Sequence, residues 1–203
     1  MIKKLTKVGS AALVSLLLCS CATMTPEQCK VADWRDVGLR DGLNGETLTR
    51  LNQRAEDCQK AGVAINRPAY LAGRDAGLHT YCRLENAVPL GLKGGSYHGV
   101  CPAVIDMQFR QRFQLARNVF DLRAEVTGLD ARIESLERRL RGTNHDEEKA
   151  LKEAPSEEER KKVRKAFDDE RRDIRSDLGE SDRRLRRKRD ELRSAELTLN
   201  SIR

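Results

Sequence analysis

Aromatic side chains are scarce in this sequence. Its 203 residues include one Trp, three Tyr and four Phe, which is 4 % of the chain, whereas 35 % of the residues are charged. So few large apolar groups cannot fill one globular core of this length. The composition therefore predicts a small folded domain followed by an exposed helical rod.

Signatures of several enzyme classes are missing too. Residues 91–95 lack the Gly-x4-Gly-Lys-Ser/Thr order of a phosphate-binding loop, and no Gly-x-Ser-x-Gly nucleophile elbow occurs. No Cys-x-x-Cys pair is present, which argues against a structural zinc site. We therefore predict no catalytic residue, no metal and no cofactor, and we expect that the protein is not an enzyme.

Long hydrophobic runs are lacking as well, apart from one short stretch near the amino terminus. Residues 8–18 are mostly apolar, follow three lysines and precede small residues, which is the order of a bacterial export signal. The stretch is about half of the roughly 20 residues that a bilayer crossing needs. We therefore predict a signal peptide over residues 1–20 rather than a permanent transmembrane helix.

The end of this stretch, Leu18-Cys19-Ser20-Cys21, resembles a lipobox. Cleavage before Cys21 leaves a cysteine that can be lipidated, and two or more acyl chains hold a protein stably in a membrane. By resemblance to other lipoproteins, Ala22 in place of Asp favours the outer membrane. We predict a lipoprotein anchored through Cys21, with acyl chains such as palmitate, facing the periplasm. Ordinary signal-peptidase cleavage, with both cysteines incidental, is the alternative.

The charge balance gives little support to nucleic acid as a partner. The formal charge of the whole chain is +7, and removal of residues 1–20, which carry Lys3, Lys4 and Lys7, lowers it to +4. A mildly basic, exported chain is a poor candidate for binding nucleic acid. The predicted partners are the membrane, through the lipid, and an unidentified periplasmic protein or peptidoglycan.

Cysteine is absent from the last hundred residues, whereas four cysteines lie between the lipobox and that point: Cys29, Cys58, Cys82 and Cys101. An even number in an oxidising compartment predicts two disulfides that stabilise a small domain. Three pairings are open. We favour Cys29–Cys58 with Cys82–Cys101, because each closes a loop of moderate length and should add about 3 kcal/mol of stability.

Residues 21–102 are predicted to form a Cys- and Gly-rich helical domain. Prolines at helix starts and glycines at helix ends predict three helices, over residues 26–41, 47–60 and 68–81. Residues 83–102 contain several glycines and Pro89, so we predict a structured loop there.

Glycines four residues apart recur beside an aromatic residue in this domain. The three occurrences are Trp34-x3-Gly38-x3-Gly42, Tyr70-x2-Gly73-x3-Gly77 and Gly91-x3-Gly95-x-Tyr97. Glycines at this spacing share a helix face and let another backbone or a ring approach closely. We interpret them as a tight helix–helix contact, with a ligand groove as the alternative.

The same residues carry a resemblance to a known family. They form the strings Cys29-x3-Asp33-Trp34-x3-Gly38-x2-Asp41-Gly42, Tyr70-x2-Gly73-Arg74-x2-Gly77-Leu78-x2-Tyr81-Cys82 and Gly95-x-Tyr97-x-Gly99-Val100-Cys101-Pro102. Over about residues 25–102 the chain resembles uncharacterised Gram-negative envelope lipoproteins, catalogued as domain of unknown function 2799. The resemblance implies the compartment and the Cys and Gly framework, and it supplies no catalytic residue.

Residues 103–203 show two apolar seams with alternating steps of four and three, which indicate a coiled coil. The first seam is Leu115, Val119, Leu122, Val126, Leu129, Ile133, Leu136 and Leu140. The second is Phe167, Arg171, Ile174, Leu178, Ser181, Leu185, Lys188, Leu192, Ala195, Leu199 and Ile202.

The segment between the seams predicts a chain reversal. Residues 141–144 interrupt the first seam at Gly142, and the helix restarts at the capping sequence Ser156-x-x-Glu159 after Pro155. We therefore predict an all-α fold in which the small domain is followed by a long antiparallel coiled-coil hairpin. A parallel dimer of one broken helix is the alternative, and a homodimer of hairpins stays open.

Two groups of residues are candidates for binding. Asp75 and His79, four residues apart, share a helix face. In a ligand-binding or hydrolytic domain they should line a cleft with Trp34, Tyr70 and Tyr97, although we favour a surface or structural role. The second group is the basic run Arg183, Arg184, Arg186, Arg187, Lys188 and Arg189.

Such a basic run can bind anionic lipid, lipopolysaccharide phosphate or the acidic groups of peptidoglycan. The alternative is a solvated coiled-coil surface that nearby acids neutralise. Taken together, the sequence predicts a non-enzymatic envelope lipoprotein whose coiled coil tethers or scaffolds a periplasmic partner. A small ligand-binding or hydrolytic domain and a regulator of cell-wall enzymes are the other hypotheses.

Overall fold

A computed structural model describes residues 23–202, so the predicted signal peptide and Cys21 lie outside the described residues. Within that range the chain folds into α-helices without a strand, which confirms the all-α prediction. The helices are α1 (Pro26–Val31), α2 (Trp34–Leu43), α3 (Leu48–Lys60), α4 (Arg67–Tyr81), α5 (Leu84–Leu92), α6 (Ala103–Glu153) and α7 (Glu157–Asn200). We call α1 to α4 the head, and α6 with α7 the hairpin.

The first predicted helix is two short helices. Ala32 is extended, and the Asp33 carboxylate then accepts hydrogen bonds from the backbone N–H groups of Arg35 and Asp36, at 2.9 and 3.2 Å. This N-cap begins a new helix at Trp34. The prediction of one helix over residues 26–41 was wrong because it read Asp33 as an interior carboxylate.

The spaced glycines hold α2 and α4 together. A Cβ added at Gly38 would overlap the carbonyl oxygen of Tyr70, and one added at Gly73 would overlap that of Arg35. The two backbones are therefore in direct contact at their crossing, which only residues without a side chain allow. The interpretation as a tight helix–helix contact is confirmed for these two motifs.

The third glycine motif lies in a segment that was predicted as loop. Residues 84–92 form α5, which packs on α6 through Ala87, Val88 and Gly91. Pro89 is inside this helix but on its exposed side, so its ring points away from the packing contact. The prediction failed because it treated proline and glycine as helix breakers, whereas burial against α6 stabilises the helix.

Both favoured disulfides are formed. Cys29 pairs with Cys58 and Cys82 with Cys101, with Cα atoms 5.4 and 5.5 Å apart. The first joins α1 to α3, next to the buried side chains of Leu51 and Tyr70. The second fastens the end of α4 to the residue that precedes α6 by two positions.

The hairpin follows the predicted seams. Val119, Leu122 and Leu129 of the first seam are buried, and so are Ile174 and Leu185 of the second. However, α6 continues through Gly142 to Glu153, and the chain reverses at 154–156. Next to Gly142 the seam continues through buried Thr143, whose Oγ1 donates to the Leu140 carbonyl at 2.7 Å. One glycine costs a helix only about 1 kcal/mol, which the packing outweighs.

Cross-hairpin ion pairs fix the antiparallel direction. Arg123 pairs with Glu196 and Arg139 with Glu170, so the partner number falls as the α6 number rises. The polar seam residues also find partners: Arg171 pairs with Glu147 at 2.6 Å and Lys188 with Glu125 at 3.2 Å. Each pair forms only when α6 and α7 are aligned as they are here, so the polar seam residues help to fix the register of the two helices.

The base of the hairpin joins the rest of the molecule through two apolar clusters. Phe109 of α6 is fully buried, and its ring stacks on Tyr81 at the end of α4, with centroids 5.6 Å apart. Leu199 near the end of α7 packs with Val88 of α5 and Val119 of α6. The hairpin therefore starts at the Tyr81 end of the head.

Among the described residues, none of the helices combines the length and hydrophobicity that a bilayer crossing requires.

Candidate functional site

The five residues of the candidate cleft do not come together. Trp34 and Tyr70 are buried in one cluster of the head, and Tyr97 packs in a different cluster around Phe109. Asp75 and His79 are exposed on the outer face of α4. That face is outward because Gly73 and Gly77 turn the opposite side of α4 toward α2. The two residues therefore lie on the surface, which is the placement the favoured reading expected.

Tyr70 is instead part of a buried charge network that the sequence reading did not include. Its hydroxyl donates to Oδ2 of Asp41 at 2.7 Å, and Arg54 donates to both carboxylate oxygens of Asp41, at 2.9 and 2.7 Å. Asp41 is only 3 % exposed. Burial, and then the hydrogen bond to Asp41, raises the pKa of Tyr70 above its ordinary value, so it remains a donor.

Tyr97 has a comparable structural role at the base of the hairpin. Its hydroxyl donates to the carboxylate of Asp106 and accepts from the Cys101 N–H, while Arg110 lies over its ring at 5.2 Å. Burial, and then the hydrogen bond to Asp106, raises the pKa of Tyr97 to about 12. These contacts hold the segment between α5 and α6 against the first turns of α6.

An open groove of about 530 Å³ lies beside α1 and α2. The residues that line it include Thr23, Asp33, Asp36, Arg40 and Arg54. The carboxylates are engaged: Asp33 caps α2, and Asp36 pairs with Arg40 at 3.2 Å. The groove is thus polar, with its charges largely satisfied by neighbours.

The basic run on α7 divides into two groups. Lys188 and Arg189 are bound across the hairpin, to Glu125 at 3.2 Å and Asp130 at 3.0 Å. The other four cations are exposed, and none of them forms an ion pair with any residue in the range 23–202: Arg183, Arg184, Arg186 and Arg187. We call these four residues the arginine ridge.

The arginine ridge points away from α6. Leu185 is buried against α6, and at about 100° per residue the four arginines lie within about 80° of the opposite direction. They span only about 6 Å along the helix axis. Guanidinium groups at this density can form paired hydrogen bonds with phosphate or carboxylate oxygens. Sequence reasoning found the run but not the division between paired and free cations.

Over residues 23–202 we find no cluster of three or more His, Cys, Asp or Glu side chains that could hold a metal ion.

The fold defines a class of protein: a small disulfide-bonded helical head that continues into a long antiparallel hairpin. Residues 33–118 match the model of the family described as Protein of unknown function (DUF2799). The match confirms the predicted resemblance to domain of unknown function 2799 from residue 33 onward, and it extends into the first turns of α6. Comparisons with curated proteins and with solved structures gave no match.

Proposed function

We propose that the protein is a lipid-anchored component of the bacterial cell envelope that acts as a non-enzymatic tether or scaffold. In this proposal Cys21 carries the acyl chains, the outer membrane holds the anchor, and the hairpin contacts a partner in the periplasm. The two disulfides support an oxidising compartment. The export-signal pattern and the lipobox of residues 1–21 support the anchor.

The observation that carries the interaction role is the arginine ridge. The seam of the hairpin is occupied within the chain, so its outer surface is what it can offer a partner. On that surface, four neighbouring guanidinium groups lack an acidic partner among the described residues. Concentrated positive charge of this kind attracts an acidic partner. We propose that this partner presents phosphate or carboxylate groups in the envelope.

Replacement of the four ridge arginines by glutamine should abolish binding to envelope fragments. The fragments are prepared from cells that lack the protein, and the mature chain carries Cys21→Ser so that lipid insertion does not contribute. Binding is measured by co-sedimentation at low and high salt. We expect the unaltered ridge to bind in a salt-sensitive manner, because screening weakens exposed charge contacts.

The matched control replaces four exposed lysines at the tip of the hairpin by glutamine: Lys149, Lys161, Lys162 and Lys165. This variant has the same net charge as the ridge variant, so a non-specific charge effect lowers the binding of both. Specific recognition predicts loss for the ridge variant alone. Equal binding of the two variants, or binding that does not respond to salt, would contradict the proposal.

A further inference from the structure

The first described residue of the chain is held on the head by all of its polar groups. The Thr23 backbone N–H and hydroxyl both donate to Oδ2 of Asp57, at 2.7 and 2.9 Å. The Thr23 carbonyl accepts from Arg54 at 3.2 Å. These hydrogen bonds from Thr23 also lower the pKa of Asp57 below its usual value, so its carboxylate stays ionised in mildly acidic conditions.

This clamp on Thr23 is attached to the buried interior of the head. Arg54 also binds both oxygens of buried Asp41. The next residue, Met24, is buried in the cluster that contains the Cys29–Cys58 disulfide. Thr23 is therefore part of the folded head.

The clamp and the hairpin lie at opposite ends of the head. Asp57 is near the carboxyl end of α3, beside Cys58. The amino end of α3 lies near the α2–α3 turn, where a Cβ at Gly45 would meet the ring of Tyr81. Tyr81 stacks on Phe109 of the hairpin, and the α3 residues from Leu48 to Asp57 span about 14 Å.

We propose that the head docks directly on the surface of the bilayer that holds its acyl chains, with its Thr23 end against the lipid headgroups. This inference rests on the proposed lipidation of Cys21. Only Ala22 separates Cys21 from Thr23, and two residues reach at most about 7 Å. The bilayer surface is therefore within contact distance of the clamp, and the hairpin begins on the side of the head that faces away from it.

The surface beside the clamp suits this contact. Val31, at the end of α1, is 84 % exposed and lines the same groove as Thr23. Lys30 is exposed next to it, and the Lys60 ammonium group lies 3.8 Å from the Asp57 carboxylate and is otherwise open to solvent. An apolar side chain flanked by lysines can bury in the headgroup boundary while the ammonium groups remain near phosphates.

The one tryptophan of the sequence supplies the test. Trp34 lies in the same cluster as Met24 and Cys29, at the clamp end of the head. The full acylated protein is reconstituted in vesicles whose lipid headgroups carry a nitroxide, which quenches fluorescence only at short range. We expect strong quenching of Trp34 relative to the same protein in vesicles without nitroxide.

Two variants separate a docked head from a head on a loose tether. Insertion of ten Gly/Ser residues between Ala22 and Thr23 adds a flexible link of about 17 Å, so the quenching should be lost. Asp57→Ala removes the clamp, so part of the quenching should be lost while the circular dichroism spectrum is retained. Asp75→Ala, an exposed carboxylate on α4, removes the same charge and should leave the quenching unchanged.

Flotation of the vesicles distinguishes the two levels of the proposal. If the protein floats with the vesicles and the linker insertion does not alter the quenching, direct docking is wrong and the lipid anchor stands. If the unaltered protein lacks the acyl groups and does not float, the lipid anchor is wrong and the docking falls with it. Cys21→Ser is the reference for an unanchored chain.

Discussion

Asp41 joins three helices in the interior of the head. Its carboxylate has little access to water and takes hydrogen bonds from Arg54 and Tyr70, which belong to α3 and α4. Asp41→Ala leaves a guanidinium group and a buried hydroxyl without their partner. We expect a loss of about 3 kcal/mol in the free energy of unfolding, measured by urea denaturation.

Asp36→Ala is the control for this prediction, because it removes a carboxylate from the same helix. Asp36 pairs with Arg40 at 3.2 Å, and both side chains are more than half exposed. An exposed pair of this kind contributes less than about 1 kcal/mol. Equal urea midpoints for the two variants would show that the buried network does not hold the head together.

At the residue scale, the sequence predicts disulfide pairing, because a few cysteines allow few combinations. It does not predict the polar contacts that only the folded chain brings together. Four cysteines allow three pairings, and loop length selected the correct one. By contrast, the sequence contains many acids and bases that could pair with Asp41 or Arg54, and no local sequence pattern predicts that these two pair with each other. Thr23 and Asp57 meet across 34 positions, so only the folded head brings them together.

At the scale of the helices, two glycines that both lie inside a helix should have opposite effects on stability. Gly73 lies in the crossing of α2 and α4, where an added methyl group overlaps the backbone of Arg35, whereas nothing lies within 4 Å of a Cβ at Gly142. Gly73→Ala should destabilise the head by about 2 kcal/mol or more. Gly142→Ala should stabilise α6 by about 1 kcal/mol, because alanine favours the helix.

Thermal unfolding followed by circular dichroism checks both substitutions. The midpoint temperature of the Gly73→Ala variant should fall, and that of the Gly142→Ala variant should rise or stay constant. A fall for both variants would mean that the chain bends at Gly142, as the sequence predicted. An increase for Gly73→Ala would show that the helices can separate without cost.

Helix prediction succeeded where the pattern is long and failed where it is short. The seams extend over many turns, so one glycine or one charged residue does not hide them. Arg171 is a charged member of the second seam, and it pairs with Glu147, which lies beyond the predicted interruption at Gly142. The nine residues of α5 contain Pro89 and Gly91, and contact with α6 stabilises that segment as a helix.

At the scale of the whole molecule, the hairpin makes the protein long. The 51 residues of α6 extend about 77 Å at 1.5 Å per residue. A compact chain of similar length has a radius of gyration of about 16 Å and a correspondingly smaller maximum dimension. Small-angle X-ray scattering of the mature chain with Cys21→Ser should give a maximum dimension above about 75 Å.

The scattering mass decides between one chain and two. Because the seam is filled within one chain, we expect the mass of a monomer, and Ile174→Asp should open the hairpin by placing a charge in the buried seam. Ser176→Asp puts the same charge on the exposed side of α7 and should leave the scattering curve unchanged.

A mass of two chains with an unchanged curve for Ser176→Asp would instead place a homodimer contact elsewhere on the hairpin. A compact particle would contradict the hairpin, and with it the idea that the arginine ridge is carried away from the head toward a partner.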